Sequence, residues 1–160
     1  MNTKNLDNQT KLITREGFKN LQKKLAKLEG KRPHLVDRLE HARSMGDLSE
    51  NNEYHSAKDD LEFLDRQIEE MREVIAHSRI ARGHKGNCSQ ISVGCQVKVA
   101  TDNGKQVVFM VVGDHESDPL KGKISYSSPL GKALFKKRVG EKVTVKTPKG
   151  TTHYEIVAIN

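Results

Sequence analysis

Residues 46–55 read Gly-Asp-Leu-Ser-Glu-Asn-Asn-Glu-Tyr-His, a short polar stretch rich in carboxylates. On each side of it, residues recur in alternating steps of three and four, the heptad spacing of helices that pack along one apolar seam. The seam positions before the stretch are Phe18, Leu21, Leu25, Leu28, Arg32, Leu35, Leu39 and Ala42. Those after it are Tyr54, Ala57, Leu61, Leu64, Ile68, Met71, Ile75 and Ser78. Two such helices are expected to fold back as an antiparallel hairpin.

This coiled-coil hairpin is expected to occupy residues 1–82, with an acidic tip at 46–55. Its first helix should begin after Thr14, whose hydroxyl can accept a hydrogen bond from a first-turn amide. Pro33 lies inside that helix and predicts a kink or a short break, because proline lacks an N–H and its ring crowds the preceding turn. The second helix is expected to continue to about Arg82.

A second domain is predicted at residues 91–160, after a glycine-containing linker at 83–90. There the apolar period changes from about 3.5 to about 2, which indicates short strands separated by turns. Ser128 and Pro129 should open one short helix, with serine as its cap and proline in its first turn. The expected fold class is therefore α+β, a hairpin followed by a small antiparallel β domain with one helix.

The net charge of +7 suggests an acidic partner, but its distribution says more. Residues 81–160 hold 13 Lys or Arg against 6 Asp or Glu, which accounts for the whole excess. In the hairpin, residues 4–43 have 11 basic and 5 acidic side chains, whereas residues 47–73 have 3 basic and 10 acidic. Helices of opposite charge favour pairing along their length.

The sequence has no apolar run long enough to cross a membrane, so we expect a cytoplasmic protein with no membrane partner. Cys88 and Cys95 lack the spacing of a metal or redox motif and are expected to be reduced thiols.

Three carboxylates, Asp47, Glu50 and Glu53, lie in the acidic tip. At the start of a helix such residues cap the chain or interact favourably with the helix dipole. Carboxylate oxygens are also the ligands that Mg2+ prefers. The spacing alone favours the capping role and leaves the metal role open.

Two stretches resemble a known family. Residues 46–58, Gly-Asp-Leu-Ser-Glu-Asn-Asn-Glu-Tyr-His-Ser-Ala-Lys, resemble the tip signature of the bacterial transcript-cleavage (Gre) elongation factors. Residues 124–134, Ile-Ser-Tyr-Ser-Ser-Pro-Leu-Gly-Lys-Ala-Leu, resemble the family's C-terminal signature. The resemblance covers essentially the whole chain, is closer to GreA-like members than to GreB-like ones, and implies an FKBP-like fold for the C-terminal domain.

The resemblance implies a factor without an active site or cofactor of its own. Similar proteins bind at the rim of the RNA polymerase secondary channel, pass the hairpin inward and stimulate the polymerase's own cleavage of backtracked RNA. On this basis Asp47 and Glu50 are expected to share a Mg2+ with the polymerase and to orient the attacking water, with Glu53 and Asn51 as supporting tip residues.

The resemblance also assigns contact residues outside the acid pair. Ser127, Ser128 and Pro129 are expected to bind the polymerase. Arg43 and Lys58 are candidates for contact with the phosphates of the nascent RNA near its 3′ end. The chain itself is expected to be a monomer.

Three other functions stay open. A secondary-channel inhibitor would share the architecture and bind without stimulating cleavage. A peptidyl-prolyl isomerase would need an aromatic proline pocket, for which the C-terminal domain offers few side chains. A coiled-coil arm that binds RNA directly is disfavoured, because an acidic tip has the wrong charge for phosphates.

Overall fold

The computed structural model describes residues 10–45, 52–81, 88–147 and 150–160. Its helices are α1 (Arg15–Ser44), α2 (Asn52–Ala76) and α3 (Pro129–Leu134). Its strands are β1 (Lys11–Ile13), β2 (Ser78–Ile80), β3 (Gln96–Thr101), β4 (Gln106–Val112), β5 (Lys123–Ser125), β6 (Lys142–Thr147) and β7 (Gly150–Ile159). The predicted α+β class is confirmed.

Contacts divide the described residues into two compact units. One is Lys19–His77, which contains most of α1 and all of α2. The other combines the chain up to Phe18 with Ser78–Asn160. The predicted domain limits at 1–82, 83–90 and 91–160 stay a prediction, because residues 82–87 lie outside the described part of the chain.

The helical unit is held together by the predicted apolar seam. Among the described residues of this unit, the buried side chains all occupy seam positions: Leu21, Ala42, Ala57, Leu64 and Ile68. Removing one leucine side chain from water contributes about 1.5–3 kcal/mol, far more than an exposed ion pair does. The seam therefore supplies most of the stability of the hairpin.

Ion pairs between the helices fix their direction and register. Arg72 pairs with Glu29 across 2.7 Å, and Arg32 pairs with Asp65 across 2.8 Å. From Glu29 to Arg32 on α1, the partner on α2 moves back from Arg72 to Asp65. The helices therefore run antiparallel, as predicted.

Pro33 does not break α1, which is continuous from Arg15 to Ser44, and the alternative outcome, a kink, stays a prediction. Pro33 is exposed, so the main-chain hydrogen bond that it cannot donate is lost on the solvent side of the helix. The neighbouring Arg32, counted as a seam position from the sequence, is exposed and binds Asp65. The hairpin tolerates both residues because neither interrupts the buried face.

The second helix ends at Ala76, well before Arg82, which corrects the predicted boundary. Residues Ser78–Ile80 form β2, which pairs in parallel with β1 at Lys11–Ile13. The amide of Ala81 also donates to the carbonyl of Ile13 over 2.8 Å. The heptad pattern continues to Ser78, so no local feature predicts an end of the helix at Ala76. The parallel ladder with a distant strand ends it.

The C-terminal sheet has the strand order β5-β4-β3-β7-β6. Three of its pairings are antiparallel, as predicted, but β4 and β5 are parallel, with Val111 opposite Ile124. This corrects the expectation of a wholly antiparallel domain. Between β4 and β5 the chain makes two short 3-10 turns. They return the chain so that β5 runs in the same direction as β4.

The core of this unit lies between one sheet face and α3. Its buried members are Cys88, Ile91, Cys95, Val97, Val99, Val111, Leu134, Val143, Ile156 and Ile159. Alternate residues of β3, Val97 and Val99, belong to it, as a period of two requires, and β6 contributes Val143. Cys88, expected in the linker, is therefore part of the core.

Candidate functional site

The acidic tip is described only in part. Asp47, Glu50 and Asn51, which include both residues of the predicted metal pair, lie outside the described residues. The structure does place Glu53 and the two basic candidates, Arg43 and Lys58. These define the part of the hairpin that adjoins the tip.

One guanidinium organises the start of α2. Arg38 donates from Nε to Oε1 of Glu53 and from Nη1 to Oδ2 of Asp60, each over 2.7 Å. A longer contact of 3.5 Å joins Nη2 to the hydroxyl of Ser56. The bonds to Glu53 first and to Asp60 next raise the pKa of Arg38 above its usual value, so it stays charged. Glu53 is thereby fixed within the hairpin.

The predicted RNA-contact residues are both exposed. Arg43 lies in the last turn of α1, where a positive charge interacts favourably with the helix dipole. Lys58 lies on α2, with its Nζ 3.8 Å from Oε1 of Glu62. A contact of that length between exposed groups holds a flexible lysine only weakly. Both cations are therefore accessible from solvent.

The predicted polymerase-binding residues follow β5 as one tight turn. The hydroxyls of Ser125 and Ser127 both donate to Oδ1 of Asp114. The amide of Ser127 in turn donates to Oγ of Ser125 over 3.0 Å. Burial alone raises the pKa of Asp114, but the two hydroxyls and the charge of Lys11 outweigh it, so the pKa is lowered.

Ser128 caps α3, as predicted. Its Oγ accepts from the amide of Gly131 over 3.0 Å and donates to the carbonyl of Ser125 over 2.6 Å. Pro129 takes the first helical position and is exposed. A Cβ on Gly131 would lie 1.9 Å from the Ser125 oxygen, so only glycine permits this approach of α3 to β5. Ser127, Ser128 and Pro129 are thus brought together on a rigid turn.

Glu116 fixes the start of α1. Its carboxylate accepts from the amide of Thr14 over 2.8 Å and also from the Thr14 hydroxyl. The same hydroxyl accepts from the amide of Gly17 over 3.0 Å, which confirms Thr14 as the helix cap. A Cβ on Gly17 would lie only 2.0 Å from Cδ of Glu116, so glycine makes room for this carboxylate.

Sequence reasoning missed three organising side chains: Arg38, Asp114 and Glu116. The last two lie between β4 and β5, where the sequence predicted only a turn between strands. A possible signal was the pair of acidic residues directly after a buried strand. For Arg38 the sequence signal was weaker, because Arg38 is one of many basic residues on α1.

The described part of the chain contains neither a membrane span nor a metal-binding cluster. No helix there is long and apolar enough to cross a membrane. Within the same residues, no three side chains of His, Cys, Asp or Glu gather closely enough to hold a metal ion.

Comparison with protein families assigns both parts of the chain. Residues 11–80 match the family described as "Transcription elongation factor, N-terminal". Residues 86–160 match the one described as "Transcription elongation factor, GreA/GreB, C-term".

Curated relatives align over nearly the full length. "Transcription elongation factor GreA" of Thermodesulfovibrio yellowstonii is 39% identical, covering 92% of this chain and 95% of the relative. The proteins of that name from Sinorhizobium medicae and Geobacillus kaustophilus are 38% and 39% identical, covering 92% of this chain and 94% of each relative.

Solved structures of similar chains include Gfh1 proteins of two Thermus species. GreA factor homolog 1 of Thermus thermophilus is 24% identical with a TM-score of 0.44, covering 94% of this chain and 99% of that one. Thermus aquaticus Gfh1 is 26% identical with a TM-score of 0.44, covering 95% and 99%.

Proposed function

Because this chain belongs to the GreA/GreB family of transcription elongation factors, we propose that it stimulates RNA polymerase to cleave its own backtracked transcript. It enters the polymerase secondary channel hairpin first and rescues arrested complexes. It acts as an accessory factor, a monomer of the bacterial cytoplasm, and the polymerase performs the chemistry.

The observation that carries this proposal is the network around Arg38. It ties α1 to the first two turns of α2 through Glu53 and Asp60, directly after the acidic residues of the tip. This network holds the start of α2, the element that follows Asp47 and Glu50 in the sequence. Catalytic groups that act on another enzyme's substrate need such positioning.

Asp47 and Glu50 have the oxygen donors that suit Mg2+, a hard cation that keeps several waters. Two carboxylates do not form a tight site by themselves, so they complete one that the polymerase partly supplies. When bound, the shared Mg2+ activates water and stabilises charge on the phosphate. Arg43 and Lys58 approach the RNA phosphates, and Asn51 and Glu53 support the acid pair.

The turn after β5 is proposed as the polymerase-binding surface. Ser127, Ser128 and Pro129 are held by hydrogen bonds to Asp114 and Ser125 and by the close packing of α3. A rigid, partly exposed turn loses little conformational entropy when it binds. The contact is made at the rim of the channel.

The test is RNA cleavage in stalled, backtracked polymerase complexes supplied with Mg2+. Wild-type protein should accelerate cleavage, and Asp47→Asn and Glu50→Gln should abolish the acceleration while retaining polymerase binding. Asp59→Asn, the same chemical change at an exposed position on α2, is the matched control and should behave as wild type. Acceleration by both tip variants would refute the metal role.

Binding is measured separately with Pro129→Ala, which should weaken the affinity for polymerase. Retention of wild-type affinity would remove Pro129 from the contact. Tight binding that slows elongation without cleavage would instead identify a channel inhibitor. Turnover of an X-Pro peptide without polymerase would identify an isomerase.

A further inference from the structure

The two cysteines of the chain meet inside the C-terminal core. Their Sγ atoms are 2.7 Å apart, although seven positions separate them in the sequence. Cys88 is 6% exposed and Cys95 is 1% exposed. Both are free thiols, and the sequence contains no other cysteine. Neither the family nor the proposed function assigns them a role.

We propose that Cys88 and Cys95 are a redox pair that closes reversibly to an intramolecular disulfide when a hydroperoxide oxidises it. A disulfide bond is about 2.05 Å long, so the sulfurs need to approach by only about 0.7 Å. A shared zinc ion requires them about 3.8 Å apart, given zinc–sulfur bonds of about 2.3 Å in tetrahedral geometry. The observed separation therefore favours a covalent bond over a metal bridge.

The chemistry balances with one hydroperoxide per pair. One thiolate attacks the peroxide, breaks the O–O bond and becomes a sulfenic acid, while the departing oxygen takes up a proton and leaves as water or alcohol. The second thiol, as thiolate, attacks the sulfenic sulfur, forms the S–S bond and expels hydroxide, which is protonated to water. Two thiols are oxidised and the peroxide is reduced by two electrons.

The surroundings make this pair slow to react but suited to ring closure. Burial, followed by the hydrogen bond with Cys95, raises the pKa of the Cys88 thiol to about 11. Little thiolate is present at neutral pH, so incidental oxidation is suppressed. Once one sulfur is oxidised, the other is already in contact with it. Disulfide formation therefore precedes further oxidation to sulfinic acid.

The segment between the cysteines connects to several parts of the unit. Ile91 exchanges main-chain hydrogen bonds of 2.8 Å with Lys136 and Lys137, just after α3. The amide of Gly94 donates to the carbonyl of Val111 on β4 over 2.7 Å. A covalent link between Cys88 and Cys95 restricts the unfolded chain around these contacts. Oxidation should therefore stabilise the C-terminal unit.

The test treats the native full-length chain with hydrogen peroxide, removes the peroxide with catalase, and then alkylates in denaturant with a maleimide. The expected product carries no maleimide and yields a linked Cys88–Cys95 peptide. Its mass is lower than that of the reduced chain by two hydrogens, apart from any oxygens gained by methionine. A dithiol reductant should restore two alkylatable thiols. The oxidised chain should melt about 4 °C or more above the reduced one.

The matched controls are Cys88→Ser and Cys95→Ser, each of which leaves one thiol. Neither should form a linked peptide or gain thermal stability after peroxide, which separates the disulfide from methionine oxidation. To allow for slow access in the native state, reduced wild-type chain is also refolded in a glutathione redox buffer. Sulfinic acids, covalent dimers, or two free thiols after both treatments would overturn the proposal.

Discussion

Arg38 on α1 and Glu53 on α2 are joined by an ion pair in which Nε lies 2.7 Å from Oε1. The same guanidinium holds Asp60, two turns later on α2. The two bonds set the rotation of the start of α2 about its own axis and its position along α1. The start of the helix that follows the acidic tip in the sequence is therefore held by a residue that takes no part in the proposed chemistry.

Replacing this guanidinium tests whether positioning matters. We expect Arg38→Met to reduce stimulated RNA cleavage by roughly threefold to tenfold, because the start of α2, which follows Asp47 and Glu50 in the sequence, loses its ion pairs to α1. Polymerase affinity should be unchanged. Arg72→Met, which removes another ion pair between the same helices, is the control and should retain activity. Equal losses in both variants would indicate general weakening of the hairpin.

Acid stability should depend on Asp114. Its pKa is lowered in the folded state, so protonation favours unfolding, and its contribution is present above about pH 4 and is lost as the pH falls through the folded value. Asp114→Asn should therefore destabilise the protein at pH 7 and lose less stability on acidification than wild type. Thermal unfolding between pH 7 and pH 3 measures both effects.

Asp102→Asn supplies the comparison for that experiment, because Asp102 is exposed in the turn between β3 and β4. Its pH profile should follow that of wild type. If Asp114→Asn also followed wild type, the hydroxyls of Ser125 and Ser127 would not be stabilising the ionised carboxylate.

Lys136 has a φ of 64°, a left-handed conformation that costs a residue with a side chain about 1 kcal/mol. Lys136→Gly should therefore raise the free energy of unfolding by about that amount. Lys137→Gly removes the same charge at the next position, where φ is not positive, and should lower stability through added chain entropy. Chemical denaturation of the two variants would show opposite shifts, and a loss in both would contradict the strain.

Two glycines should respond oppositely to alanine. Gly131→Ala brings a methyl group against the Ser125 carbonyl, which should cost about 1–3 kcal/mol and weaken polymerase binding by displacing Ser128 and Pro129. Gly30→Ala meets open space on exposed α1 and should add about 0.5–1 kcal/mol. Chemical denaturation measures the two stability changes, and a polymerase-binding assay measures the affinity. Wild-type affinity in Gly131→Ala would contradict the predicted displacement of Ser128 and Pro129.

Much of the hairpin could be predicted from the sequence because its determinants are local and periodic. The heptad spacing placed Leu21, Leu64 and Ile68 in the seam, and the opposite charges of the two segments indicated pairing between them. The cap at Ser128 was equally readable, since a serine followed by proline favours a helix start. Asp47 and Glu50 stay predictions, carried by their motif.

The contacts that position the remaining site residues could not be predicted in this way. Asp114 acquires its role only because the parallel pairing of β4 and β5 brings it beside Ser125 and Ser127. Glu116 meets Thr14 across 102 positions of sequence. Neither relationship has a periodic signal, because each depends on how separate strands and turns are stacked.

The sequence by itself determined the helical hairpin, its antiparallel direction, the α+β class and the family to which the chain belongs. Those features follow from spacing, charge and short motifs that act within one or two turns of chain. Only the tertiary structure decided where α2 ends, which strand pairs with β4, which guanidinium fixes the start of α2, and that Cys88 meets Cys95. The reason is that these are long-range pairings. They are set by the one arrangement that buries the apolar side chains and satisfies the hydrogen bonds of the whole core at once.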